Sequence, residues 1–232
     1  MRILEIIFPF LFCGLIFGLI FFIVLDPFGL AAKATAKVNQ TLTQHWEHIA
    51  PQLEFQYDGT RKNKHNLVSP TLTGKIHQFN CRIWMEVTRS EGTDSHGQET
   101  VDFEVYLPQS LELDLSIGPQ GTHIPFMKFL TPEELAVDDE IFDQHFFVQG
   151  KDAVAVNQFL TLERKTTILN ASHSISPAIL HITDSAIKAR LYGNAIPATQ
   201  QIIHLMKQLV AIANTFYDDE PEETVWESVD HA

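Results

Sequence analysis

The sequence predicts an α+β protein in which an N-terminal transmembrane helix is followed by a mostly antiparallel sheet domain with packing helices. Two observations lead to this class: a long uncharged apolar run near the start, and later segments in which apolar and polar residues alternate. We expect four parts: a transmembrane anchor at 1–26, a juxtamembrane amphipathic helix at 27–53, an α+β soluble domain at 54–217 and an acidic disordered tail at 218–232.

The apolar run extends from Ile6 to Leu25. Sixteen of its twenty residues are Leu, Ile, Val or Phe, and none is charged. Since a helix rises about 1.5 Å per residue, this length just crosses a hydrocarbon core of about 30 Å. The alternative is a cleaved signal peptide, whose apolar region normally has only about 7 to 15 residues. The run therefore predicts an uncleaved single span in contact with the lipid bilayer.

Two glycines four residues apart, Gly14 and Gly18, lie within this run. Small residues at this spacing let two transmembrane helices approach closely, which favours a homodimer through Gly14 and Gly18 and a domain that senses or transmits. Glycine is also simply common in transmembrane helices, so the pattern leaves self-association open.

The orientation of the span should follow the basic residues at its two ends. Arg2 and the N-terminal amine lie on one side, and Lys33 and Lys37 lie on the other, so the counts tie. A short basic end before an uncleaved span resembles a signal anchor, which favours an extracytoplasmic soluble domain.

Period-two alternation predicts three antiparallel strands with one wet face. The apolar faces of the first two are Phe79, Cys81, Ile83, Met85 and Val87, and then Val101, Phe103, Val105 and Leu107. Asp102, Glu104 and Tyr106 lie on the opposite face of the second strand. The third segment alternates Leu111, Leu113, Leu115 and Ile117 with polar residues. Residues 54–70 have the composition of a loop.

Helical spacing and caps predict the remaining elements. Val38, Leu42, Trp46, Ile49 and Ala50 mark one face of a helix that we expect Pro51 to stop. Residues 146–148 form a short strand. Asp152 caps a helix that runs to about Asn170, and residues 179–183 and 187–192 form a hairpin. A closing helix starts near Pro197, and its core stripe is Ile202, Ile203, Met206, Leu209, Val210, Ala213 and Phe216.

The stretch from Phe142 to Asp152, FDQHFFVQGKD, and the later Phe159-Leu160-Thr161 resemble a pattern in uncharacterised bacterial membrane-anchored proteins that share a domain of unknown function. The resemblance covers residues 138–192. It departs from that pattern at 154–157, where Val-Ala-Val-Asn replaces Glu-Ala-Arg. It implies a bacterial envelope protein with a shared fold segment, and it implies no activity.

The residues that could carry chemistry do not form a motif. His45 and His48 are three apart, whereas zinc protease helices need two His four apart. Gly118-Pro119-Gln120-Gly121 has a proline where a phosphate loop needs a backbone N–H, and it reads as a turn. Cys81 lies on the apolar face of a strand and reads as a buried hydrophobe. We therefore predict no catalytic, cofactor-binding or metal residues.

The charge of the chain bears on its partners. The net charge is -13, and seven of the carboxylates fall in the last fifteen residues, where there is no Lys or Arg. Such a chain repels phosphate backbones, so nucleic acid is not expected as a partner.

These observations predict a single-pass protein of a bacterial cell membrane, a non-catalytic binding or scaffold module with an unknown protein partner. The alternative is a metal-assisted hydrolase whose site is assembled from scattered His and Asp residues, for example His123, His145, His173, His181 and His204.

Overall fold

The computed structural model describes residues 27–63, 66–88, 98–121, 134–193 and 196–217. The predicted span from Ile6 to Leu25, with Gly14 and Gly18, and the predicted tail at 218–232 lie outside these ranges. Within them, no helix combines the length and the hydropathy needed to cross a bilayer.

The described chain forms five helices and eight strands. In chain order they are α1 (Pro27–Leu53), β1 (Gln56–Asp58), β2 (Thr71–Ile76), β3 (Phe79–Thr88), β4 (Gln98–Tyr106), β5 (Ser116–Pro119), α2 (Glu140–His145), β6 (Phe146–Gln149), α3 (Ala153–Phe159), α4 (Leu162–Ile175), β7 (Ile179–Thr183), β8 (Ala186–Gly193) and α5 (Thr199–Thr215).

All eight strands belong to one antiparallel sheet, in the order β1-β2-β3-β4-β8-β7-β5-β6. The predicted α+β class with a mostly antiparallel sheet is confirmed. The predicted hairpin is the β7–β8 pair. The ladder between β4 and β8 joins residues 99–106 to residues 186–193, so the centre of the sheet is built from two distant parts of the chain.

The core lies between one face of this sheet and the helices, and we call this side the inner face. The strand residues predicted to be apolar are buried there: Phe79, Cys81, Ile83, Met85, Val101, Phe103, Val105 and Leu107. The whole predicted stripe of α5 is buried with them. Trp46 of α1 is 0% exposed.

The helix α1 differs from the prediction at both ends of its packed face. Val38 is 47% exposed, because packing against the domain begins one residue later, where the Asn39 side chain binds the backbone of Asn66 and Val68. Pro51 does not stop the helix. Glu54 has a φ of 58°, and the Phe55 amide donates to the Ala50 carbonyl at 2.8 Å, which is a Schellman cap.

The predicted strand over 111–117 is wrong except at its end. Glu112 and Asp114 adopt positive φ, and β5 begins only at Ser116. The carboxylate of Asp184, in the turn between β7 and β8, accepts from the amides of Asp114 at 2.8 Å and Leu115 at 2.7 Å. These bonds hold the segment across the turn. Likewise, the predicted turn at 118–121 is shorter than expected. Gly118 and Pro119 are part of β5, and only Gln120 and Gly121 form the turn.

The predicted helix from Asp152 to Asn170 is two helices. Asp152 caps α3 as expected, but the helix ends at Phe159, and Thr161 caps a second helix, α4. The buried side chain of Arg164 holds this break, because its Nε donates to the Thr215 carbonyl at 2.7 Å and its Nη1 to the Phe159 carbonyl at 2.8 Å. The break therefore lets one guanidinium join α3, α4 and the last turn of α5.

Two strands were not predicted. β1 has only three residues and falls within the expected loop over 54–70, and β2 contains Gly74 and Lys75, which obscure the alternation. Gly74 is required by packing, since a Cβ at this position would overlap the ring of Phe55.

Candidate binding surface

The face of the sheet opposite the core carries charged and aromatic side chains from β3, β4 and β8. The alternation that directs Ile83, Phe103 and Ala189 inward directs their neighbours outward. The outer sheet face, as we use the term, consists of Arg82, Trp84, Asp102, Glu104, Tyr106, Lys188, Arg190 and Tyr192. Register places Arg82, Glu104 and Lys188 in one row across three strands, and Trp84, Asp102 and Arg190 in the next.

Two ion pairs join β4 to β8 on this face. Arg190 Nε lies 2.6 Å from Asp102 Oδ1, and Lys188 Nζ lies 2.8 Å from Glu104 Oε1. The hydrogen bond that Arg190 donates to Asp102 is the main cause of the raised pKa of Arg190. The cations are about half exposed, whereas both carboxylate side chains are only 8% exposed. The positive ends therefore face solvent above buried carboxylates.

The burial of Asp102 and Glu104 departs from the predicted wet face. Both residues have an outward position, but long side chains of β3 and β8 close over them. Asp102 Oδ2 has no hydrogen-bond partner among the described residues. A buried acceptor of this kind costs free energy unless a partner or water supplies a donor.

Aromatic residues complete the outer sheet face. The guanidinium of Arg82 lies 4.8 Å from the ring centroid of Trp84, a cation–π contact. The hydroxyl of Tyr106 donates to Glu104, and burial, followed by that bond, raises the pKa of Tyr106. Tyr106 and Tyr192 are 38% and 41% exposed, which shows that no helix of the described ranges covers this face.

A groove of about 540 Å³ opens at one end of this face. We call it the basic groove, because Lys75 and Arg82 line it together with Asn80 and Tyr106. Glu54, Gln56 and Thr73 are also on its walls. Within the described part of the chain, neither Lys75 nor Arg82 has a carboxylate at ion-pair distance. The groove thus presents two cations without an acidic partner.

A smaller cavity of about 190 Å³ lies on the inner side, where β4 and β8 meet the start of α5. Glu99 lines it with Val101, Leu191 and Pro197. Burial raises the pKa of Glu99, and its Oε2 has no hydrogen-bond partner among the described residues. One carboxyl group with apolar neighbours is not by itself a catalytic arrangement.

Cys81 lies on the inner face, as predicted. It is 3% exposed, and burial raises the pKa of its thiol to about 11. At neutral pH the group is therefore a thiol and not a reactive thiolate.

The histidines are dispersed over the described fold. His45 contacts the Pro197 carbonyl, His181 approaches Ser116, and His204 approaches Ser174. His145 and His173 are neighbours, with ring centroids 5.3 Å apart, but Nδ1 of His145 donates to a backbone carbonyl. His123 lies outside the described residues.

The metal-assisted hydrolase alternative needs three or more ligands at one place. Within 27–63, 66–88, 98–121, 134–193 and 196–217, no such group of His, Cys, Asp or Glu is arranged to hold a metal ion. The acidic run at 138–140 is accounted for locally, since Asp139 caps α2 and pairs with Lys165 at 3.5 Å.

Three aromatic residues of the segment that resembles the uncharacterised family pack in the core. Phe142 and Phe146 are buried, with ring centroids 4.9 Å apart, and Phe159 packs against Phe216 at 5.0 Å. The membership itself stays a prediction.

Sequence alone placed the residues of the outer sheet face on strands but did not bring them together. The alternation of Lys188 and Arg190 with apolar residues was visible. Their partners were not, because the pairing of β4 with β8 spans 88 residues between Asp102 and Arg190. The sequence signal that could have suggested the pairing is the equal spacing of opposite charges: Asp102 and Glu104 are two residues apart on one predicted strand, and Lys188 and Arg190 are two residues apart on another.

Comparisons with known proteins do not assign a function to the outer sheet face. No family model matches the chain, and no curated protein matches it. A solved structure, the mycobacterial trehalose monomycolate transport factor A, TtfA, is similar with a TM-score of 0.48 and 9% identity, over 76% of this chain and 93% of that chain. A likeness at this level carries no conclusion about the function of this chain.

Proposed function

We propose that this chain is a membrane-anchored, non-catalytic module that binds a partner protein through the outer sheet face. The observation that carries the proposal is the composition of that face. Arg82, Trp84, Tyr106, Arg190 and Tyr192 are of the three residue types that contribute most to binding free energy at protein interfaces. A sheet face that only met water would not need five such side chains.

The contacts within the outer sheet face support binding because they hold these side chains in place before a partner arrives. Asp102 orients Arg190, and stacking on Trp84 orients Arg82. Immobilising a free long side chain on binding costs about 0.5–1.5 kcal/mol, and side chains that are already held lose less.

The anchor from Ile6 to Leu25 would confine this face to a membrane surface. The part of α1 over 32–38 is largely exposed. At 1.5 Å per residue, residues 27–38 of this helix would separate the anchor from the packed domain by about 18 Å. The extracytoplasmic side, the bacterial source and a homodimer through Gly14 and Gly18 are parts of the same proposal that rest on sequence.

Site-specific photocrosslinking in native membranes tests the proposal. A photoreactive residue replaces Tyr192 on the outer sheet face, and the same residue replaces exposed Ala211 on α5 or exposed Leu162 on α4 as controls. We expect one discrete protein adduct from position 192 and none from position 211. The Trp84→Ala change, which leaves the photoreactive position unchanged, should abolish that adduct.

Two outcomes would contradict the proposal. Adducts that survive Trp84→Ala would show that contact at position 192 does not depend on the outer sheet face. A discrete adduct from position 162 alone would assign the binding surface to the helical side, where Leu162 is 73% exposed.

A further inference from the structure

We infer that the acidic segment 218–232 docks in the basic groove of its own chain and competes there with the partner for the outer sheet face. The docking rests on the geometry and charge described below, and only the competition rests on the proposed function. The segment would thus keep the binding surface occupied until a stronger ligand displaces it.

The point at which the segment leaves the fold supports this inference. Tyr217 is held by a hydrogen bond from its hydroxyl to the Gln109 carbonyl at 2.8 Å, and its ring lies 6.0 Å from that of Phe79. Phe79 starts β3, and Gln109 follows the end of β4. Asn80 and Tyr106, which line the basic groove, are paired with each other at this same end of the sheet. The described chain therefore ends, with Tyr217, at the end of the sheet where the groove opens.

The charges of the two surfaces are complementary. Lys75 and Arg82 have no ion-pair partner among the described residues, unlike Lys188 and Arg190. The segment contains Asp218, Asp219, Glu220, Glu222, Glu223, Glu227 and Asp230 and no Lys or Arg. Glu54 is the acidic residue on the groove wall, and it opposes this attraction only in part.

Reach and tethering are sufficient for docking in cis. Residues 218–223 span about 20 Å when extended, and the fifteen residues together span about 50 Å. The first length covers the groove, and the second covers the rows of Arg82 and Arg190. Each exposed ion pair contributes only about 0–1 kcal/mol. A tether makes such weak pairs effective, because a short linker holds the segment at an effective concentration of about millimolar.

Zero-length carbodiimide crosslinking of the full chain in detergent micelles tests the docking, because it joins a lysine only to a carboxylate in contact with it. We expect crosslinked peptides between Lys75 and residues 218–223, and their loss at high salt. They should also be lost in a variant in which the seven carboxylates of the segment are changed to Asn or Gln.

Lys37 is the matched control. It is exposed like Lys75 but lies 16 residues before Leu53 along α1, about 24 Å from the groove end of that helix. A segment that moves over the whole surface would react with both lysines to the same extent, and this result would overturn the inference. Mixing isotope-labelled with unlabelled chains gives a second check, since crosslinks between the two would assign the contact to a second copy and overturn docking in cis.

The competition has a separate readout. In the photocrosslinking experiment at position 192, the variant without carboxylates in the segment should give a several-fold larger partner adduct. An unchanged adduct, with the Lys75 crosslinks present in the parent chain, would overturn the competition. Lys75 crosslinks without any partner adduct, in either chain, would contradict the proposed function while supporting the docking.

Discussion

The two faces of the sheet use the same alternation for opposite purposes. The inner face is closed by α1 and α5 over side chains such as Phe103 and Met206, which are 1% and 0% exposed. The outer sheet face is open, and polar contacts between neighbouring strands, such as Asp102 with Arg190, hold its side chains. The buried core and the surface that we propose for binding are therefore separated by a single layer of backbone. Substitutions on one face should therefore affect folding, and those on the other should affect binding.

The largest expected difference is between the two tryptophans of the described fold. Trp46→Ala removes a side chain that is 0% exposed and should lower the free energy of unfolding by about 3–5 kcal/mol. Trp84→Ala removes a half-buried ring and its contact with Arg82, and it should cost about 1 kcal/mol or less while abolishing the photocrosslinked adduct. Guanidinium denaturation followed by far-ultraviolet circular dichroism measures both values.

Trp46→Phe is a control for this pair. It keeps most of the buried ring and removes an indole N–H for which the described residues offer no acceptor. It should cost clearly less than Trp46→Ala. Equal losses for Trp46→Ala and Trp84→Ala would break the comparison, because the outer sheet face would then be part of the core.

A double-mutant cycle on Asp102 and Arg190 tests whether the ion pairs act as units. Each single change to Ala should cost about 1–2 kcal/mol, because Arg190→Ala leaves a buried carboxylate and Asp102→Ala removes a charged hydrogen bond at 2.6 Å. The double variant should lose less free energy of unfolding than the two single variants together, with a coupling free energy of about 1 kcal/mol. This value is at the low end for residues in contact, because Arg190 is half exposed. Additive losses would show that the pair is incidental.

The smallest effect concerns Glu99, a carboxyl group at the rim of the inner face. Because burial raises its pKa in the folded state, the unfolded chain loses its proton first as the pH rises. The stability that the protonated group confers is present at low pH and is lost as the pH rises from about 4.5 through the raised pKa. The thermal midpoint of the Glu99→Gln variant should therefore equal that of the parent chain near pH 4 and be higher than it near pH 7. A constant gap at both pH values would argue against a raised pKa.

The parts of the fold that follow from local pattern were predictable. In β3, β4 and α5 one periodicity persists for nine residues or more, and the buried side chains are those it indicates. The prediction was wrong where a tertiary contact overrides the pattern. At Asp114 the carboxylate of Asp184, 70 residues away, draws the chain out of the strand conformation. At Thr161 the buried guanidinium of Arg164 binds carbonyl groups of Phe159 and Thr215 and stabilises a break.

The outer sheet face was predictable only in part for the same reason. Alternation placed Glu104 and Lys188 on the polar sides of their strands, and nothing local indicated that the two strands are neighbours. The burial of Asp102 and Glu104 depends on that neighbour relation together with the pairing of β4 with β3. That the described residues place no carboxylate at ion-pair distance from Lys75 or Arg82 likewise depends on tertiary structure.

The ladder between β4 and β8 also sets the time at which this surface can exist. Contacts between residues so far apart in sequence form late in folding, because the entropy of closing the intervening loop must be overcome first. Arg190 reaches Asp102 only when residues 107–185 have already been enclosed between the two strands. A chain that is truncated or stalled within that stretch would display neither ion pair. If the proposed function holds, such a chain would also lack the surface that the partner engages, and only completed domains would bind.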